Sequence, residues 1–189
     1  MFSKTFIAAL LAGSAAASPI VAARSTSGSF GLVSIRSGTD LQSQAINAFQ
    51  GGLWIGKEPS SYCPFTEGCP DGKYTSFVAG AETSLSLNTE VPGGQQVYVA
   101  KNYAVSYTEP HSANTFGGKL TGFNYTAGVG STLGSLSYNG DYGFIACAST
   151  DVGTYQVFVT PGGEGTGNCT SIAIATASNP SAGPSAWEY

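Results

Sequence analysis

Histidine is almost absent from this chain, which has His111 as its only one among 189 residues. Imidazole is the side chain that most often transfers protons near neutral pH, so its scarcity disfavours most acid–base and nucleophilic mechanisms. A Ser-His-Asp site would need His111, but the sequence contains no GxSxG motif and no strand–turn–helix context for a nucleophile. We therefore interpret His111 as a loop histidine and predict no catalytic residue.

Clusters of basic residues are also missing. The chain has seven Lys and Arg against eleven Asp and Glu, which gives a formal net charge of −4 at pH 7. Nucleic acids and anionic membranes bind surfaces with concentrated positive charge, so neither is an expected partner. Only 10% of the residues are charged, so we expect a surface made mostly of hydroxyl and amide groups.

Long hydrophobic runs are confined to the N-terminus, where Thr5–Ala12 follows the positive charge of Lys4. This run is too short to span a bilayer, and the small residues Ala15–Ala17 come after it. Residues 1–17 are therefore predicted to be a cleaved signal peptide, and the protein to be secreted. The alternative at the new N-terminus is that Ser18–Arg24 is a pro-segment removed later.

Composition divides the rest of the chain into three parts. Residues 18–28 are predicted to form a flexible N-terminal segment. Residues 29–178 are enough for one hydrophobic core but not for two, and are predicted to be a single domain. Residues 179–189 are broken by proline, contain no hydrophobic stretch for a lipid anchor, and are predicted to be a flexible C-terminal tail.

The four cysteines contain no CxxC motif and lie far in sequence from His111. A metal site is therefore not expected, and an even cysteine count in an oxidising compartment indicates two disulfides. Four cysteines allow three pairings. We favour Cys63–Cys69 together with Cys147–Cys169, because the first pair brackets a Pro/Gly loop and the second joins one predicted strand to the next.

Two sequons for N-glycosylation, at Asn124 and at Asn168, follow the predicted signal peptide. In a secreted chain such sequons mark surface positions. The middle residue of the second sequon is Cys169, and disulfide formation there competes with transfer of the glycan. Both positions are predicted glycosylation sites, and Asn124 is the favoured one.

No segment has the three- and four-residue apolar spacing of an amphipathic helix. Short apolar and aromatic runs alternate instead with Gly, Asn, Pro and Ser, which predicts a compact, antiparallel, all-β domain. The predicted strands are Ser29–Arg36, Gly52–Gly56, Thr75–Val78, Thr83–Leu87, Gln95–Lys101, Ala104–Tyr107, Leu120–Tyr125, Ser135–Tyr138, Tyr142–Ala148, Thr154–Thr160 and Ser171–Thr176.

A degenerate internal repeat suggests how these strands are arranged. Phe30, Phe77 and Phe123 each open a predicted strand, at nearly equal spacings along the chain. In each unit an apolar segment with a leucine follows, and then a turn leads into a hydrophobic strand. Three such units favour a β-trefoil-like, pseudo-threefold barrel, and a two-layer β-sandwich built from the same short strands is the alternative.

Aromatic side chains are the one positive sign of a binding role, because flat rings stack on the apolar faces of sugars. Many rings in a β-domain of this size belong to the core. Tyr103 and Tyr107 lie near His111 on a short predicted strand, so these two rings are expected to be exposed and are the candidate carbohydrate contacts. The other aromatic candidates are Trp54, Tyr98, Tyr125, Tyr138, Tyr142 and Trp187.

Paired carboxylates offer a route to glycoside hydrolysis that needs no histidine. Most of the acidic residues lie beside Gly, Pro or Asn in predicted turns, where solvated carboxylates are the rule. Hydrolysis is therefore a minor hypothesis. The acids available for it are Glu58, Glu67, Asp71, Glu82, Glu90, Glu109, Asp141 and Asp151.

One further pattern extends over nearly the whole mature chain. It consists of Phe30–Gly38 (FGLVSIRSG), Gly51–Lys57 (GGLWIGK), Val91–Val99 (VPGGQQVYV), Tyr107-Thr108, His111–Ala113, Gly143–Cys147 (GFIAC) and Tyr155–Val159 (YQVFV). With these segments the chain resembles the secreted fungal cell wall proteins of the PhiA type, relatives of which are also described as IgE-binding proteins. The shared motifs are strand-like and include no catalytic signature.

The resemblance implies a filamentous ascomycete source, a place in or on the cell wall, a role in development of the conidium-bearing phialide, and allergenicity of some members. It implies no enzymatic activity and no cofactor. The leading hypothesis is therefore a monomeric structural protein of the wall, whose partners are wall polysaccharide or other wall proteins. The second hypothesis is a lectin-like polysaccharide-binding module, and the third is a secreted hydrolase with paired carboxylates.

Overall fold

The structure is a computed structural model that describes residues 28–179 and 183–189. The all-β prediction is confirmed, because within these residues there are twelve strands and one short 3-10 turn, Ala81–Thr83. The predicted signal peptide, residues 1–17, lies outside the described residues, as do residues 18–27. The strands are β1 (Ser29–Ile35), β2 (Gln44–Phe49), β3 (Gly52–Ile55), β4 (Phe77–Ala79), β5 (Leu85–Leu87), β6 (Gln95–Val99), β7 (Val105–Tyr107), β8 (Phe123–Thr126), β9 (Gly134–Tyr138), β10 (Tyr142–Ala148), β11 (Tyr155–Pro161) and β12 (Cys169–Asn179).

The strands close into an antiparallel barrel. From β1 the pairings lead through β4, β5, β6, β7, β3, β11, β10 and β12, and β12 pairs with β1 again. Strand β2 links β1 to β3, while β9 and β8 continue the sheet beyond β12. A closed path agrees with the barrel prediction and is less consistent with the two open sheets of a sandwich. The threefold symmetry of a trefoil stays a prediction.

The phenylalanines that indicated a repeat all lie in the core. Phe30 and Phe77 are 0% exposed and Phe123 is 2% exposed. Phe30 and Phe77 are register partners in β1 and β4, and the ring of Phe30 stacks on that of Tyr125 with centroids 4.1 Å apart. The repeat pattern therefore identified core residues, because each of these side chains lies at or next to the start of a strand and faces inwards.

The described C-terminal residues are part of the domain, so the prediction that residues 179–189 form a flexible tail is wrong for residues 183–189. Ala186 is 0% exposed and Tyr189 is 9% exposed. The side chain of Gln95, itself fully buried, donates to the carbonyl of Tyr189 and accepts from its N–H, at 2.7 and 2.8 Å. The Ser185 N–H adds a bond to the Asn88 carbonyl. The single domain, predicted as residues 29–178, therefore also includes residues 183–189.

Two disulfides join the cysteines in the favoured pairing. Cys63–Cys69 closes the short Pro/Gly loop, with its Cα atoms 6.1 Å apart. Cys147–Cys169 links residues that are register partners in β10 and β12, with Cα atoms 3.9 Å apart. The second disulfide therefore fixes the start of β12 against β10, and it closes a loop much longer than the first one does.

Candidate functional site

A tight turn between β9 and β10 places two tyrosines side by side. Tyr138 ends β9 and Tyr142 begins β10, and the two residues are register partners. Between them Asn139 and Gly140 have φ angles of 37° and 46°, the left-handed values that an Asn-Gly pair readily adopts in a hairpin turn. The Tyr138 and Tyr142 rings consequently meet edge to face, with centroids 5.8 Å apart.

The turn between β6 and β7 adds a third tyrosine. The Tyr103 N–H donates to the Ala100 carbonyl, and the Ala100 N–H to the Ala104 carbonyl, both at 2.9 Å. Tyr103 has a φ of 68°, a left-handed conformation that costs a non-glycine residue on the order of 1 kcal/mol. Its carbonyl accepts from the Val159 N–H, which anchors the turn to β11. The Tyr103 ring is 46% exposed and lies 6.3 Å from the Tyr142 ring.

These two turns and the segment before β8 border a small cleft of about 170 Å³. Gly118 allows the segment before β8 to lie close to β6, because a Cβ at this position would be 2.5 Å from the Cδ2 atom of Tyr98. Lys119 and Val99 then exchange backbone hydrogen bonds of 2.8 and 2.9 Å. We call this site the tyrosine cleft and define it by Lys101, Tyr103, Lys119, Tyr138, Asn139 and Tyr142.

Tyr138, which lines the cleft, has a buried hydroxyl group without a hydrogen-bond partner. The residue is 2% exposed. The two other buried side-chain atoms of this kind within the described ranges, Trp54 Nε1 and Thr89 Oγ1, do not line the cleft. Burial raises the pKa of the Tyr138 phenol, and the neighbouring Tyr142 phenol adds to the rise. The hydroxyl is therefore protonated at neutral pH and has a proton to donate.

The cleft is also positively charged. Lys101 and Lys119 both line it and are exposed, and no Asp or Glu is among the lining residues. Neither lysine forms an ion pair with another described residue. In the part of the chain that the structure describes, the ion pairs are Lys57–Asp151 and Lys73–Asp71.

Of the two candidate carbohydrate contacts, only Tyr103 lies at the surface. The expectation that Tyr107 is exposed is wrong, because its side chain is 5% exposed. The Tyr107 hydroxyl accepts a hydrogen bond of 3.0 Å from the Gly51 N–H and so ties β7 to the turn before β3. Burial raises the pKa of Tyr107, and the Gly51 hydrogen bond partly opposes this. Tyr107 is therefore a structural residue of the core, and its ring is not available to stack on a sugar.

The residues considered for catalysis are scattered over the surface. His111 is exposed in a turn with a φ of 58°. Every acid considered for hydrolysis is exposed as well, which is the environment of ordinary solvated carboxylates. Among residues 28–179 and 183–189, no three His, Cys, Asp or Glu side chains are grouped as metal ligands would be. The described helical structure contains no segment with the length and apolarity of a membrane span.

Both predicted glycosylation sites are at exposed positions. Asn124 is in β8, and its side-chain amide donates to the Gly122 carbonyl at 3.1 Å. The Asn168 amide donates to the Ala148 carbonyl at 2.8 Å, next to the Cys147–Cys169 disulfide. Glycosylation at either position stays a prediction.

The fold and the cleft define a small, disulfide-linked β-barrel protein with an aromatic, cationic surface site. Residues 30–189 match the PhiA-like secreted protein family, and the chain belongs to that family. A protein of Arthroderma benhamiae described as an uncharacterized secreted protein is 32% identical to it over 148 residues, which cover 72% of this chain and 73% of the relative. No solved structure matches the chain significantly. Family and relative are both described as secreted, and neither description names an enzymatic activity.

The unpartnered hydroxyl of Tyr138 leads to a first prediction. Replacing Tyr138 by phenylalanine is expected to raise the free energy of unfolding by about 1 kcal/mol, because a buried hydroxyl without a partner destabilises the folded state. Tyr107→Phe is the matched control, and it is expected to lower the free energy of unfolding by about 1 kcal/mol, since its hydroxyl accepts from Gly51. Urea unfolding of both variants measures these changes, and a destabilised Tyr138→Phe protein would contradict the assignment.

Proposed function

We propose that this protein is a secreted, non-enzymatic component of the fungal cell wall that holds wall polysaccharide in the tyrosine cleft. The observation that carries the proposal is the exposed ring of Tyr103 beside that of Tyr142, with polar and charged groups around them. An aromatic face with hydrogen-bonding groups at its edge suits a sugar ring, which has apolar C–H faces and a rim of hydroxyls.

The size of the cleft favours a single unit of a polymer over a separate small molecule. Its volume is about 170 Å³, whereas pockets for drug-sized ligands are roughly 300–1,000 Å³. A polysaccharide would place one sugar in the cleft and extend its neighbouring units over the surface. Binding of this kind is weak at each site and becomes strong when many copies of the protein meet many sites on the wall.

Two features that destabilise the folded state, both in residues of the cleft, support a binding role. Tyr103 adopts a left-handed backbone conformation where glycine would be unstrained, and Tyr138 keeps a buried hydroxyl without a partner. Strained backbone and unsatisfied polar groups are concentrated at functional sites in proteins.

The wall role itself extends the resemblance to PhiA-type proteins. Retention at the wall, and with it a part in conidium development, would follow from attachment to polysaccharide without any lipid or covalent anchor. Extraction of purified walls tests this directly. The protein should be recovered with the wall and released by competing soluble polysaccharide, and recovery from the culture fluid alone would contradict it.

Replacement of Tyr103 by glycine tests the site. We expect binding to insoluble wall polysaccharide to weaken about tenfold or more, since stacking on a ring contributes on the order of 1–2 kcal/mol. The stability of the domain should stay equal or rise, because glycine tolerates the φ of 68° at this position. A depletion assay on glucan, chitin and mannan, combined with thermal unfolding, gives both results.

The matched control is Tyr74→Ala, because Tyr74 is 45% exposed and does not line the cleft. This variant should bind like the wild type. Equal binding by all three proteins would remove the tyrosine cleft from the proposal. Absence of binding to every polymer would favour the alternative in which the protein acts through wall proteins or bulk wall structure.

A further inference from the structure

We propose that the tyrosine cleft recognises an acidic saccharide, one that has a carboxylate or phosphate group on the sugar held against Tyr103. This inference rests on the proposed function and specifies its ligand. The anionic group would lie between the ammonium groups of Lys101 and Lys119, while the sugar ring stacks on Tyr103. Neutral polymers would then be bound more weakly than acidic ones.

The distribution of positive charge is the first argument. The chain has a net charge of −4 and only seven basic residues in all. Lys57 and Lys73 are each used in an ion pair. Lys101 and Lys119 both line one cleft instead, with no carboxylate among the lining residues. In an acidic protein, two unneutralised cations at one small site form a local positive potential that attracts anions.

The backbone holds the two lysines together. Lys119 exchanges two backbone hydrogen bonds with Val99, and Lys101 comes two residues after Val99 in the turn that follows β6. Gly117 lies against the Lys101 side chain, since a Cβ there would be 2.7 Å from its Cε atom and 3.0 Å from its Nζ atom. Glycine at 117 therefore leaves room for the end of the Lys101 side chain beside the cleft that it lines.

The acidic residue next to a lining residue in sequence, Asp141, forms no ion pair with Lys101 or Lys119 within the described residues. Asp141 is in the turn between Tyr138 and Tyr142, but it is exposed and does not line the cleft. Its backbone is instead bound to Gly162, whose N–H donates to the Asp141 carbonyl at 2.7 Å. The other polar side chains of the lining are uncharged, namely the amide of Asn139 and the tyrosine hydroxyls, and the Asn139 amide suits a sugar hydroxyl.

Paired polymers that differ only in charge test the proposal. Polygalacturonate is compared with the same polymer after reduction of its carboxyl groups, and a phosphorylated mannan with its dephosphorylated form, by calorimetry on the mature protein. We expect at least one acidic form to bind about tenfold more tightly than its neutral partner, the effect of a charge-assisted hydrogen bond. The two acidic polymers distinguish a carboxylate ligand from a phosphate ligand.

The double variant Lys101→Gln, Lys119→Gln should lose this preference and retain the weaker binding that depends on Tyr103. Lys73→Gln is the matched control, because Lys73 is an exposed lysine outside the cleft, and it should keep the preference. Equal affinity for acidic and neutral polymers, with binding still lost in Tyr103→Gly, would overturn the acidic ligand and leave the proposed function standing. Failure to bind any of the four polymers would overturn the acidic ligand, and failure to bind glucan and chitin as well would overturn the proposed function.

Discussion

Replacing Phe30 by alanine is expected to lower the free energy of unfolding by about 3–5 kcal/mol, the usual range for deletion of a fully buried aromatic side chain. Phe30 is 0% exposed, and it stacks on Tyr125 with ring centroids 4.1 Å apart and lies 6.4 Å from the ring of Phe77. The strand that contains it pairs with β2, β4 and β12. A cavity here would therefore loosen the point where the barrel closes.

Urea unfolding followed by fluorescence measures this loss. An unchanged dependence of the free energy of unfolding on urea concentration would show that the variant exposes the same surface on unfolding as the wild type. Phe116→Ala is the matched control, since Phe116 is 69% exposed and its removal leaves no cavity in the core. We expect a change within about 0.5 kcal/mol for the control. A loss below about 1 kcal/mol in Phe30→Ala would mean that the barrel closes around other residues.

The sequence predicted strands well where apolar residues are continuous. Tyr142–Ala148 was predicted with the bounds of β10, because its aromatic and β-branched residues lie between two turns. Strand β2, QAINAF, was not predicted. Alanine and asparagine have low strand propensity, and this strand forms because Ile46 and Ala48 are buried between β1 and β3. Such strands depend on tertiary pairing and leave little local signal.

The C-terminal residues are a second case in which long-range contacts, and not local sequence, determine the structure. Proline, serine and glycine near the end predict a solvated tail, but a buried glutamine nearly a hundred positions earlier holds Tyr189 in place. Gln95 itself is in a predicted strand, and a polar residue in a strand is ordinarily expected to face solvent. Only the register of β5 and β6 shows that Gln95 faces inwards. Polar groups buried by long-range pairing cannot be found from composition.

Only part of the candidate site could be predicted in the same way. Tyr103 and Tyr107 were both predicted to be exposed because they lie near His111 on a short predicted strand. The side chain of Tyr107 instead faces inwards from β7, a strand too short for its alternation of buried and exposed residues to be recognised. Lys101 is two residues before Tyr103 in the chain, so the sequence alone places it near the Tyr103 ring. The position of Lys119 could not be predicted from the sequence. Lys119 lies at the cleft because its backbone pairs with that of Val99, and no local sequence pattern indicates this pairing.

The second large effect is expected for Gln95→Ala, which should lower the free energy of unfolding by about 3 kcal/mol. The Gln95 side chain is 0% exposed and donates to the carbonyls of Thr108 and Tyr189, at 3.0 and 2.7 Å. It also accepts from the Tyr189 N–H at 2.8 Å. Alanine would leave these backbone groups unpaired in the core and would create a cavity, and both effects destabilise the folded state.

Gln96→Ala is the matched control, because Gln96 is the adjacent glutamine in the same strand and is only partly buried. Its stability should change by less than about 1 kcal/mol. Hydrogen exchange adds a local readout: in Gln95→Ala the amides of residues 185–189 should lose protection before the barrel strands do, since the Tyr189 N–H loses its acceptor. Equal losses of stability in the two variants, with protection unchanged at Tyr189, would mean that packing of Ala186 and the Tyr189 ring holds this segment without the glutamine.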